Sequence, residues 1–157
     1  MVGIQRLLTD TDTAGVTMKR TTALRYADEI AARVRSVNGL LATPLANREA
    51  VRIKRVWVFG STVKGSPAPN DLDLLIECVE VGRKRTWKQG KLDRQFLHSF
   101  RERRAIRATN EAYKWLSKGM KKVSRHCFEA ERGIDLSPLV MIYPRNDLPG
   151  YLAAYSQ

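Results

Sequence analysis

Asp71 and Asp73 lie one residue apart in an apolar run, DLDLLIECV, that otherwise has the composition of a buried strand. On a strand, residues i and i+2 point to the same face, so the two carboxylates stand together while Leu72, Leu74 and Ile76 face the other way. Neighbouring carboxylates repel each other and resist burial. A cation between them relieves both penalties, and an all-oxygen donor pair selects a hard ion such as Mg2+. Asp-x-Asp alone is common in turns, so its meaning depends on what surrounds it.

Upstream, the strand-like run IKRVWVF ends at Gly60-Ser61. Glycine lets a ligand approach the backbone closely. A helix starting at Ser61 would present free N–H groups to an anion, the Ser61 hydroxyl would add a donor, and Lys64 a positive charge. A phosphate site beside a metal-binding carboxylate pair is what phosphoryl or nucleotidyl transfer requires. A third carboxylate, Asp135 in GIDLSPLVMIY, is expected at the start of a later strand, where it would deprotonate or orient an acceptor hydroxyl. Glu77 and Glu80 are the fallback candidates for that role.

Several elements must position these residues. Residues 1–16 read as frayed. A helix is expected from about Thr21, with Thr22 as a cap and an apolar face of Leu24, Ala27, Ile30, Ala31, Val34, Val37 and Leu41. Asn38-Gly39 is expected to weaken or end it and Thr43-Pro44 to end it at the latest, with a short turn or helix over 45–51. Strands are expected over Ile53–Phe59, Asp71–Val79 and within Ile134–Pro144, the last broken near Ser137-Pro138. Between the second and third strands, Leu92, Phe96 and Phe100 form one helical stripe, and Ile106, Tyr113, Leu116 and Met120 a looser one. Ser117-Lys118-Gly119 is a helix stop, after which MKKVSRHCFEAER is expected to restart a helix as far as Gly133.

The 157 residues carry 28 Lys and Arg against 16 Asp and Glu, a net charge of +12 that favours polyanionic partners. The excess is local: residues 83–132 hold 16 basic and 5 acidic residues. Trp87, Tyr113 and Trp115, interleaved with these cations, are candidates to stack on bases, with core packing the simpler role for Tyr113. No apolar run approaches the roughly 20 residues of a membrane span. Two cysteines, Cys78 and Cys127, make no disulfide framework, so a cytoplasmic, reducing location is expected. Cys78 reads as a small buried group. His98 and His126 read as surface or packing residues, and His126-Cys127 lacks the second ligand pair of a zinc motif.

The run from Val56 to Glu77 resembles the DNA polymerase beta-like nucleotidyltransferase superfamily, and most of all its minimal members. The resemblance lies in an apolar strand, Gly60-Ser61, the spacer 62–70, Asp71-Leu72-Asp73 on the next strand, and a later acidic residue, here Asp135. Lys64-Gly65 stands where minimal members often have Arg-Gly, and Asn70 where they often have Ser. The resemblance implies an α/β (α+β) fold, a small mixed sheet with flanking helices, in a single domain over 1–157. Its parts would be a helical region (17–52), the Gly-Ser/Asp-x-Asp core (53–82), a basic helical insertion (83–132), and the third strand with the C-terminus (133–157). It also implies two Mg2+ ions held by Asp71, Asp73 and Asp135, an NTP donor gripped by Gly60, Ser61 and Lys64, and release of pyrophosphate. The basic segment points to an RNA acceptor such as the end of a tRNA. The alternatives are AMP transfer to a partner protein and an inactive nucleic-acid-binding protein on the same fold. A small-molecule acceptor would not need so basic a segment.

Overall fold

The computed structural model describes residues 18–42, 50–81 and 94–148, with only the backbone of 94–100. The elements are α1 (Arg20–Ser36), β1 (Leu40–Ala42), β2 (Ala50–Phe59), α2 (Ser61–Lys64), β3 (Leu72–Val81), α3 (Arg94–Leu116), β4 (Val123–Cys127) and β5 (Val140–Tyr143). Together they form a mixed α+β architecture built on a five-stranded sheet. The frayed 1–16 segment, residues 45–49 of the turn or helix expected over 45–51, Trp87, Leu92 and the side chains of Phe96, His98 and Phe100 lie outside the described residues, while Ala50 and Val51 open a strand instead.

β2 is the hub of the sheet. Its whole length pairs antiparallel with β3, with Phe59 opposite Asp73 and a bulge between Ile53 and Arg55. Its other edge is shared by β1 at the start and β5 at the end, both antiparallel. β4 lies on the far side of β3 and runs parallel to it, with Asp73 opposite Ser124 and Leu75 opposite His126. A parallel neighbour needs a long crossover, and α3 supplies it.

Both long helices pack on one face. Ala23, Ala27, Ile30, Ala31 and Val34 of α1 meet Val56, Val58, Leu72, Leu74 and Ile76 of the sheet, together with Ala108, Ala112 and Leu116 of α3. The opposite face carries a smaller cluster, Trp57, Phe59 and Leu75, against which Phe128, Leu136 and Met141 pack. The strict alternation along β3 divides Leu72, Leu74 and Ile76 from Asp73 and Leu75, as the period of two requires.

Four expectations are corrected. Thr22 does not cap α1. Lys19 holds the N-cap position without a side-chain bond, and loop carbonyls take over, with Arg20 N–H donating to Pro67 O (3.1 Å) and Met18 N–H to Pro69 O (2.8 Å). The first helix stops at Ser36, ended by Asn38-Gly39 at positive φ, so Val37 and Leu41 of the expected apolar face lie beyond it and Leu41 belongs to a strand. Ile106 is exposed, and the buried face of α3 is instead Ala105, Ala108, Thr109, Ala112 and Leu116. Small residues allow this helix to lie close to the sheet. Finally, residues 123–127 form a strand, followed by turns, where a helix was expected. Lys122, at φ 59°, breaks helical geometry, and pairing along the free edge of β3 overrides local propensity.

The helices are also clamped to each other. The Arg33 guanidinium on α1 donates to Leu116 O (2.7 Å), a terminal carbonyl that α3 cannot satisfy, and to Lys118 O (2.9 Å) in the turn after it. Arg33→Ala is expected to cost about 1–2 kcal/mol, a fall of about 2–8 °C in thermal midpoint. A melting curve checks this, and since both bonds come from the single nitrogen Nη1, Arg33→Lys, whose ammonium also offers several donors from one nitrogen, should recover part of the loss. Among the described residues no helix is long and apolar enough to cross a membrane.

Candidate active site

The site forms where β2 ends, β3 begins and β4 begins, on the sheet face away from the two long helices. Gly60 closes β2 at φ 76° and ψ −153°, a conformation that favours glycine. A Cβ there would collide with Oδ2 of Asp73, so the bare backbone makes room for that carboxylate. Ser61 opens the single-turn α2, and Lys64 at its end is exposed. Thr62 is buried beneath, its hydroxyl 3.5 Å from Asp71 O, a long contact that relates α2 to the start of β3.

Asp71 and Asp73 face the same side and act on each other electrostatically. Burial raises the Asp73 carboxyl above its ordinary pKa, and the charge of Asp71 pushes the same way, against a partial pull from His126. The Ser124 hydroxyl donates to Asp71 Oδ2. His126 Nε2 stands 3.6 Å from Asp73 Oδ1, while its Nδ1 stands 3.2 Å from Glu131 Oε1. The Phe59 ring meets the imidazole edge-on, with centroids 4.9 Å apart.

Of the sequence-derived site residues, Gly60, Ser61, Asp71 and Asp73 are thus brought to one corner. Asp135 is not joined to them. It lies ahead of β5, which pairs with β2, so the strand beside β3 is β4. Its carboxylate is exposed and turned back on its own loop, accepting from Ser137 N–H (3.0 Å), and hydrogen bonds from Ser137 hold its pKa below the usual carboxylate value. Next to it, Leu136 packs on the Trp57–Phe59–Leu75 cluster, so the loop does cross the carboxylate face. The fallback residues are committed elsewhere. Glu77 pairs with Arg55, its cross-strand neighbour, and Glu80 pairs with Arg104 of α3 at 3.1 Å.

Sequence reasoning missed Ser124, His126 and Glu131. The signal was the i, i+2 spacing of Ser124 and His126, the same spacing as Asp71 and Asp73. It was legible only to a reading that took 123–127 as a strand.

The donor set suits Mg2+, which binds through one or two carboxylates and completes its shell with water and substrate phosphate oxygens. Two adjacent carboxylates, one of them held above its ordinary pKa by burial and then by the other's charge, supply the negative charge such an ion needs. Among the described residues no group of three His, Cys, Asp or Glu side chains is assembled to hold a metal. The third protein ligand that the resemblance implies is therefore not part of the geometry. Comparison with family models, curated proteins and solved structures gives no match.

Proposed function

We propose that this chain is a Mg2+-dependent nucleotidyltransferase that moves an NMP from an NTP to an acceptor hydroxyl on RNA, such as the end of a tRNA. The observation that carries the reading is the fit of Asp73 against the bare backbone of Gly60, with Asp71 beside it. A turn shaped for close approach and a carboxylate pair shaped for a cation meet at one corner. Asp71 and Asp73 would hold the metal, which when bound neutralises phosphate charge and polarises the reacting oxygens. Gly60 and Ser61 would receive the triphosphate, with Lys64 adding positive charge. The acceptor oxygen bonds to the α-phosphorus, the bond from that phosphorus to the bridging oxygen of the β-phosphate breaks, pyrophosphate leaves, and the hydroxyl proton passes to solvent. The two cysteines, both buried thiols, suit a reducing cytoplasm.

The second reading is a nucleic-acid-binding protein on the same scaffold without catalysis. It is favoured by one observation: β4 places Ser124 and His126, rather than a carboxylate, beside the aspartate pair. Incubation with each α-labelled NTP, Mg2+ and total RNA separates the readings. Label on RNA that disappears in Asp71→Asn/Asp73→Asn is the expected result. Label on a polypeptide would point to AMP transfer to protein, and no label with RNA binding intact in both forms would establish the non-catalytic reading.

A further inference from the structure

The outer face of α3 carries a row of cations. Arg103, Arg107 and Lys114 are all exposed and recur at positions i, i+4 and i+11, opposite the buried Ala105, Ala108, Ala112 and Leu116. At 100° per residue the three fall within about 40° of one another. Asn110 occupies the i+7 position in the same row. It accepts from Arg125 Nε of β4, whose guanidinium also lies over the Tyr113 ring, 4.9 Å from the centroid. An arginine from the neighbouring strand is thereby held in the one gap in the row. Lys118 and Lys121, both exposed, follow in the turn after the helix. None of these six residues forms an ion pair among the described residues, whereas Arg55, Arg104, Arg132 and Arg145 all do.

The row has a direction. Arg103 to Lys114 spans about 16 Å of helix axis at 1.5 Å per residue. The chain then turns through residues 117–122 into β4, and Leu72 N–H donates to Lys122 O (2.9 Å) next to Asp71. The row therefore runs from the far end of α3 toward the end of the sheet at which the carboxylates stand, and a strand following it would pass round the edge strand β4 to reach them on the other face.

On the reading of a nucleic-acid acceptor given above, we propose that Arg103, Arg107, Arg125, Lys114 and Lys118 form a track for a phosphodiester backbone that leads one end of the strand to Asp71 and Asp73. A protein partner is the poorer fit. Protein interfaces bury an apolar centre, whereas this face is a file of unpaired cations, with Ile106 beside it, at 38% exposure, the exposed large apolar residue among the helix's described side chains. Contacts to a nucleic acid are dominated by charge of this kind.

The test reads binding, not transfer, so it stands whether or not the nucleotidyl reaction is found. A fluorescent single-stranded RNA and a DNA of the same sequence are titrated against the wild type at several salt concentrations. Five phosphate contacts predict a slope of log K against log salt of about −3.5 for a single strand. Arg103→Gln/Arg107→Gln/Lys114→Gln should weaken binding about 10- to 100-fold and lower the slope by about 2. Arg25→Gln/Arg52→Gln/Lys54→Gln, which removes equal charge from exposed positions elsewhere, should change it little. Circular dichroism of each variant confirms folding. A 4-thiouridine at the 3′ end of the RNA should crosslink to peptides containing Asp73 or Ser124. Stronger binding of RNA or of DNA would name the acceptor type. Equal losses from the two triple variants, no binding by the wild type, or crosslinks confined to peptides away from the carboxylates would overturn the track. Capture of an acidic protein, with no nucleic acid bound, would replace it with a protein-docking face.

Discussion

Asp73→Asn is expected to raise the thermal midpoint at neutral pH while abolishing the nucleotidyl transfer proposed above. The wild-type carboxylate is half-buried, faces Asp71, and gains only partial compensation from His126, so its folded-state pKa lies above its unfolded value. The sign follows from proton linkage. A raised folded pKa gives stability that is fully present below the unfolded value and is lost as pH rises through the folded value. At pH 7 the ionised Asp73 is therefore a net cost to folding, which asparagine, similar in shape and uncharged, removes. Allowing for solvent screening at a partly exposed site, the gain is about 0.5–1 kcal/mol, or about 1–4 °C. Melting curves at successive pH values should show the advantage shrinking as the solution is acidified through the raised pKa and wild-type Asp73 takes up its proton. Mg2+ should then close the gap from the other side, raising the wild-type midpoint and leaving that of Asp73→Asn unchanged, since a ligand stabilises only the state that binds it. A variant less stable than wild type at pH 7 would mean that the His126 contact outweighs burial and repulsion together. Stability gained by removing a site residue is the signature of a group kept for function rather than for folding.

The central part of this site was legible in the sequence because its signals are local. Gly60-Ser61 sits at the end of an apolar run, and Asp71 and Asp73 alternate with Leu72 and Leu74, so strand period and turn chemistry place all four without knowledge of the fold. The α1 face was legible for the same reason, with Leu24, Ala27, Ile30, Ala31 and Val34 all buried as their spacing indicates. The identity of the strand next to β3 was not local. VSRHC has no strong strand composition, and it becomes β4 because α3 carries the chain across to the free edge of β3, where Ser124 meets Asp73 in register. Asp135 was assigned to the site by assuming that the next apolar run would take that edge. That run pairs with β2 instead, and Asp135 is left in the loop ahead of it. Alanines were the other blind spot. Ala105, Ala108 and Ala112 form the packed face of α3, yet a stripe of small residues is less conspicuous in sequence than Ile106, which is exposed.

Gly60→Ala should remove activity as completely as loss of either aspartate, with a large loss of stability from one methyl group. Two separable effects combine. The backbone at φ 76° and ψ −153° lies in a region that residues with a Cβ rarely adopt, a strain of order 1–3 kcal/mol. In addition, the new methyl would occupy space held by Oδ2 of Asp73. The carboxylate cannot simply turn aside, since His126 lies next to its other oxygen and Phe59 lies against His126. The expected fall in thermal midpoint is about 3–10 °C. A double-mutant cycle divides the effect, because Asp73→Ala removes the collision and leaves the backbone strain. Gly60→Ala should therefore cost less in the Asp73→Ala background, and the difference is the coupling between turn and carboxylate. Equal costs in both backgrounds would show that strain acts alone and that Gly60 does not shape the carboxylate's position. A measurable coupling would mean that the glycine is required at the end of β2 because the group placed against it, Asp73, must sit where a side chain would otherwise be.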